Sequence, residues 1–148
     1  MYKKAEADNP TFAAGPWFML VPYLGEHKYQ QVIQEYQAYA QRSGDKNMAE
    51  FAAAMDSGFR AGGWPSAAHK GNEVLLAQRK AKTNYLAPYQ IAALYADTGD
   101  KDHAFEWLNT AYQERCILVV GLRTDPALDY LRSDPRYAEL VRKIGFPQ

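Results

Sequence analysis

The 148-residue chain holds a single cysteine, Cys116, and only three histidines, His27, His69 and His103. One thiol cannot close an internal disulfide. Without a second cysteine, or two histidines at ligand spacing, no metal site organises the fold, and none is expected. Charge of one sign is also missing, because 17 Lys+Arg balance 17 Asp+Glu. No surplus of positive potential exists to hold a phosphate backbone, which argues against nucleic acid as a partner. Long apolar runs are absent too. The longest uncharged stretch, Asn9 to Gly25, is broken by Pro10, Pro16 and Pro22 and falls short of the roughly 20 apolar residues that span a bilayer. Lys3 and Lys4 precede it as in a secretory signal, but Glu6 and Asp8 intervene and no small-x-small cleavage site follows promptly. No membrane insertion is expected. The cytoplasm is the expected compartment, with the periplasm as the alternative.

What the chain does contain is apolar and aromatic material, 47% and 14% of residues, enough for the core of one ordinary domain. Eleven tyrosines are the compositional oddity. Between Pro88 and Arg115, Ile91, Leu94 and Tyr95 share one helical face, and Ala104, Leu108, Ala111 and Tyr112 share another. Asp97-Thr98-Gly99-Asp100 separates them, with Gly99 suited to a left-handed stop and Asp100 to capping the next helix. The same grammar recurs upstream. Phe51, Met55 and Phe59 lead to a break at Gly62-Gly63, and the pattern resumes after Pro65 through Ala67, Ala68, Val74, Leu75 and Leu76. Earlier still, Trp17 to Tyr23 turns near Gly25 into a helix carrying Val32, Ile33, Tyr36 and Tyr39. Tyr23, Phe59 and Tyr95 are equivalent aromatics of three hairpins, spaced by 36 positions each time.

After Glu114 the run Cys116 to Leu122 reads as an apolar connector, since a lone strand would leave its backbone donors unpaired. Asp125-Pro126 and Ser133-Asp134-Pro135 are cap-plus-proline signals that open short helices over Ala127 to Leu131 and Arg136 to Ile144. Gly145 and Pro147 stop the last one.

These residues resemble the tetratricopeptide repeat (TPR) family. The third hairpin shows Ile91, Ala92, Tyr95, Gly99, Ala104, Leu108 and Ala111 in the family's register. The second matches at Phe59, Gly63 and Ala68 but has Asn72 where a large apolar residue is usual, and the first departs through Pro22, Val32, Tyr39 and His27. Tyr89 to Ala92, Gly99 to Leu108 and Leu131 to Tyr137 together look like the C-terminal end of bacterial TPR arrays, often appended to a serine/threonine kinase or a winged-helix regulator. The resemblance implies an all-α, right-handed α-solenoid of about three hairpins, at 13–45, 48–82 and 85–116, with a C-terminal cap over 117–148, all in one domain. It implies a scaffold or adaptor without cofactor that binds a protein or peptide partner. The implied groove is lined by Trp17, Val21, Ala53, Ser57, Arg60, Tyr89, Ala93 and Asp97. It lacks the Lys/Asn clamp of chaperone-binding TPR domains. The alternative is a structural or self-association module whose groove is filled by its own C-terminal segment, the Ile117 to Leu122 run being apolar enough.

Ala5 and Pro10 fall in the register of a preceding helix, as though a longer array had been entered midway. An uncapped repeat exposes its apolar face, so Trp17, Phe18 and Met19 are expected near a homo-oligomeric contact.

Catalytic constellations are sparse. Cys116, His103 and Asp102 could imitate a nucleophile, base and orienter, but Cys116 stands at a repeat-end packing position. Ser66 lacks a nucleophile elbow, and Gly62-Gly63-Trp64-Pro65 is followed by no Gly-Lys-Ser/Thr. Asp97, Asp100 and Asp102 fail the EF-hand pattern and read as helix caps. Arg79, Lys80 and Lys82 form one short basic cluster, read as a solvated face. No enzyme is expected.

Overall fold

The structure is a computed structural model that describes residues 20–146. Trp17 and the apolar face expected at Trp17, Phe18 and Met19 lie outside the described residues, as does the side chain of Val21. Every regular element among those described is helical: α1 (Val21–Gly25), α2 (Tyr29–Ser43), α3 (Lys46–Lys80), α4 (Ala87–Asp97), α5 (Lys101–Gln113), two 3-10 turns (Ile117–Gly121 and Pro126–Leu131) and α6 (Pro135–Ile144). The chain is all-α. No described helix is long and apolar enough to cross a membrane.

Local chemistry sets the boundaries. Asp45, Asp100, Asp125 and Asp134 each accept a backbone N–H of the element that follows, satisfying a donor that the first turn leaves free. Left-handed Gly44, Gly99 and Gly145 (φ 70°, 87° and 70°) close the helices before them. The expected break falls inside α3, where Gly62 and Gly63 leave helical geometry and the second limb folds back along the first, so that Gln78 donates to the Asn47 carbonyl at 2.9 Å. Gly63 (φ 69°, ψ −159°) takes a conformation open to glycine alone, and Pro65 fits the first turn of the second limb. The two limbs then approach closely at another glycine. A Cβ added to Gly58 would stand 2.5 Å from the Ser66 carbonyl oxygen and 2.7 Å from Ala67 Cα.

Helix α2 buries Val32, Ile33, Tyr36, Tyr39 and Ala40 against α3, a stripe at helical spacing. Helix α4 is the centre of the molecule. Ala87 to Leu94 are all buried, as is Ala96, because α3, α5 and the second 3-10 turn pack around it. Asn72 is buried where the repeat pattern asks for an apolar residue, and its Oδ1 meets no partner among the described residues.

The C-terminal segment does not simply follow α5. Its first turn buries Leu118 and Val119 and contacts α5, as an apolar connector should. The second turn, expected as a short helix, is a 3-10 turn laid across α4, and it reaches α1 at the other end of the chain. Arg132 fixes this path. Its guanidinium donates to the carbonyls of Arg123 (3.0 Å) and Asp125 (3.2 Å), to Asp129 Oδ1 (2.7 Å) and to the Tyr137 hydroxyl (2.9 Å). Tyr137 in turn donates to the Leu122 carbonyl at 3.0 Å. Arg136 bonds Asp134 and Asp102 and lies 4.4 Å over the Phe105 ring, joining α6 to α5.

The close approach at Gly58 gives a direct test of the folded-back limbs. Gly58→Ala sets a methyl group against backbone atoms that cannot move aside, so the limbs must part, with an expected loss of about 2–4 kcal/mol in chemical denaturation. An unchanged midpoint would contradict the contact.

Candidate functional site

The structure distributes the expected groove residues over two environments. Tyr89 and Ala93 are buried, at 0% and 1% exposure, and line no open groove. The physical reason is the second 3-10 turn, which covers this side of α4: Tyr89 donates its hydroxyl to Asp125 Oδ2 at 3.0 Å, and Asp125 Oδ1 accepts the Ala127 N–H at 2.9 Å. Ala53, Ser57 and Arg60 are exposed on the first limb of α3, where Arg60 pairs with Asp56 at 2.7 Å. Asp97, half-buried at the end of α4, belongs to neither set and lines a cleft of its own.

Asp97 is the last residue of α4 and was expected to cap a helix; it serves another purpose. Its Oδ2 accepts the indole N–H of Trp64, the first residue beyond the Gly62-Gly63 kink. Trp64 stacks on Tyr29 with centroids 4.3 Å apart and planes 11° from parallel. The Tyr29 hydroxyl meets His27 Nδ1 at 2.9 Å, in a turn where His27 has φ 55°. A chain of four side chains therefore ties the α1–α2 turn, the kink of α3 and the end of α4 together.

Beside this clasp lies an open cleft of about 330 Å³, walled by Leu24, Gly25, His27, Asp97, Pro126, Asp129 and Tyr130. It is formed where the second 3-10 turn passes α1. Burial pushes the Asp97 carboxyl up to about 6; the Trp64 hydrogen bond opposes this, Asp125 adds to it, His27 opposes it, and Asp129 adds a little more. The anionic form is thus held at a cost even after its hydrogen bond is counted. Perturbed carboxylates in clefts concentrate at functional sites.

Other constellations come apart. Cys116 is buried, with its thiol pushed up by burial and its Sγ 3.9 Å from the Leu86 carbonyl. His103 pairs with Asp100 at 2.8 Å and stacks on Tyr95, while Asp102 binds Arg136. Each member of the Cys116, His103 and Asp102 set is bonded elsewhere. No group of three His, Cys, Asp or Glu able to hold a metal occurs among the described residues. Arg79 is committed to a two-pronged pair with Glu114 (2.8 and 2.6 Å) and lies over Trp107.

No protein-family model, curated protein or solved structure matches the chain. Sequence patterns identified Asp97 but neither Trp64 nor Asp129 and Tyr130 as its neighbours; the only signal was Trp64 directly after Gly-Gly.

The titration of Asp97 carries a stability prediction. Its folded-state pKa of about 6 stands above the ordinary 3.8, so the stabilisation from protonation is complete below about 3.8 and is lost as pH rises through about 6. Asp97→Asn keeps an acceptor for Trp64 without the charge. It is expected to be more stable than the parent at pH 7.5 by on the order of 1–2 kcal/mol, with the gap shrinking toward pH 4. A less stable variant at pH 7.5, or a gap independent of pH, would contradict this.

Proposed function

We propose that this chain is a protein-interaction module of the TPR type. In this reading α1 with α2, the two limbs of α3, and α4 with α5 are three stacked hairpins of a right-handed solenoid, and the C-terminal segment is its cap. Support comes from Tyr23, Phe59 and Tyr95, which stand one period apart and are each half-buried against the core. The partner is a peptide or helix, received on the exposed limb of α3 at Ala53, Ser57 and Arg60 and at the Asp97 cleft. The observation that carries the binding role is the Asp97 carboxylate, largely withdrawn from solvent by its neighbours yet lining an open cleft of about 330 Å³. By its resemblance to bacterial array ends, the module serves as the C-terminal part of a larger signalling or regulatory protein.

A second reading, a structural module with an internally filled groove, is favoured by the buried Tyr89–Asp125 bond. The two divide the surface: the middle of α4 is filled by the chain itself, and its end stays open. The filling segment is Pro126–Leu131, where Ile117 to Leu122 was expected.

Selection from a displayed random-peptide library tests the binding role. Enriched peptides are expected to bind one per chain with micromolar affinity and to weaken about tenfold or more in Arg60→Glu, a loss of roughly 1.4 kcal/mol. Failure to enrich any saturable binder would contradict the module reading.

A further inference from the structure

The Asp97 cleft joins two carboxylates to flat, half-exposed walls, a combination that selects among ligand chemistries. Asp97 uses Oδ2 for Trp64, and no described residue bonds its Oδ1. Asp129 gives Oδ1 to Arg132, and no described residue bonds its Oδ2. The guanidinium that pairs with Asp129 is spent on its own chain, since Arg132 also serves two carbonyls and the Tyr137 hydroxyl. Tyr130 is 55% exposed, makes no hydrogen bond to another described side chain, and lines the cleft together with His27 and Pro126.

We infer that this cleft receives an arginine side chain of a partner protein, its guanidinium bonded to the free oxygens of Asp97 and Asp129 and its face laid on the Tyr130 ring. Charge complementarity sets the sign of the ligand. The planar walls choose guanidinium over ammonium, because a guanidinium stacks on an aromatic face while presenting several donors in one plane, whereas an ammonium is a compact, strongly hydrated point charge. A cation beside Asp97 also removes the cost of its burial, so the carboxylate that destabilises the free protein is satisfied in the complex. The groups that face Asp97 are Trp64 and Tyr29 behind it, His27 from the α1–α2 turn, and Asp125 and Asp129 from the C-terminal segment. None of these is a lysine or arginine.

The inference rests on the binding-module reading and names the side chain that the cleft reads. Its test is titration of the whole chain with N-acetyl-arginine amide at pH 7.5, followed through the Trp64 indole N–H resonance, with N-acetyl-lysine amide as the comparison. A saturable shift is expected with the arginine amide, at least about tenfold weaker with the lysine amide and in Asp97→Asn. In Tyr130→Ala binding should weaken several-fold with the unfolding midpoint unchanged, since this ring is surface-exposed. Absence of a saturable shift, an equal response in Asp97→Asn, or equal binding of lysine amide would overturn the assignment. The two readings fail separately. Library peptides that bind regardless of arginine content remove the arginine site and leave the module standing, whereas arginine amide binding with no library binder removes the module and supports the site.

Discussion

A buried carboxylate is tolerated only where donors replace the water it has lost, and at Asp125 that requirement ties the molecule together. Asp125 is 2% exposed and accepts the Tyr89 hydroxyl and the Ala127 N–H. One oxygen shapes the second 3-10 turn; the other docks that turn on α4. Tyr89 is matched to the task, since burial and then Asp125 itself hold its hydroxyl well above its ordinary titration range and keep it a donor. This anchor seats the second 3-10 turn on α4. Arg132 holds the path into that turn through the carbonyls of Arg123 and Asp125, and α1 packs on the same turn.

The docked segment divides what a helical-repeat surface would offer a partner. Tyr89 and Ala93 are sealed beneath it, and the last residue of α4 escapes. Asp97 lies where the covering turn ends and the α3 kink begins, so cover and clasp create the cleft together. An asparagine would satisfy Trp64 without the burden of a charge. The position instead carries a carboxyl that burial pushes up to about 6.

Much of the fold was legible because its signals are local. Gly99 with Asp100, Asp125-Pro126, Asp134-Pro135 and Gly145 each act within one turn of backbone, where capping and handedness follow from residue type. Tyr23, Phe59 and Tyr95, spaced by 36 positions, are each partly buried against the core. What escaped the sequence depends on pairs brought together from afar. Gly58 against Ser66 requires the kink, Trp64 against Asp97 spans 33 positions, and Tyr89 against Asp125 spans 36. Tyr89 illustrates the limit best: the repeat resemblance assigns it to an open groove, whereas a segment that no periodicity describes packs over it.

The closure of α4 by the C-terminal segment is tested most directly by a double-mutant cycle on Tyr89 and Asp125. Unfolding free energies of the parent, Tyr89→Phe, Asp125→Asn and the double variant give the coupling between the two side chains, free of whatever else each touches. A coupling of about 1–3 kcal/mol is expected for a buried hydrogen bond to a carboxylate. Additive losses, with coupling near zero, would mean that the segment is not held on α4 by this bond.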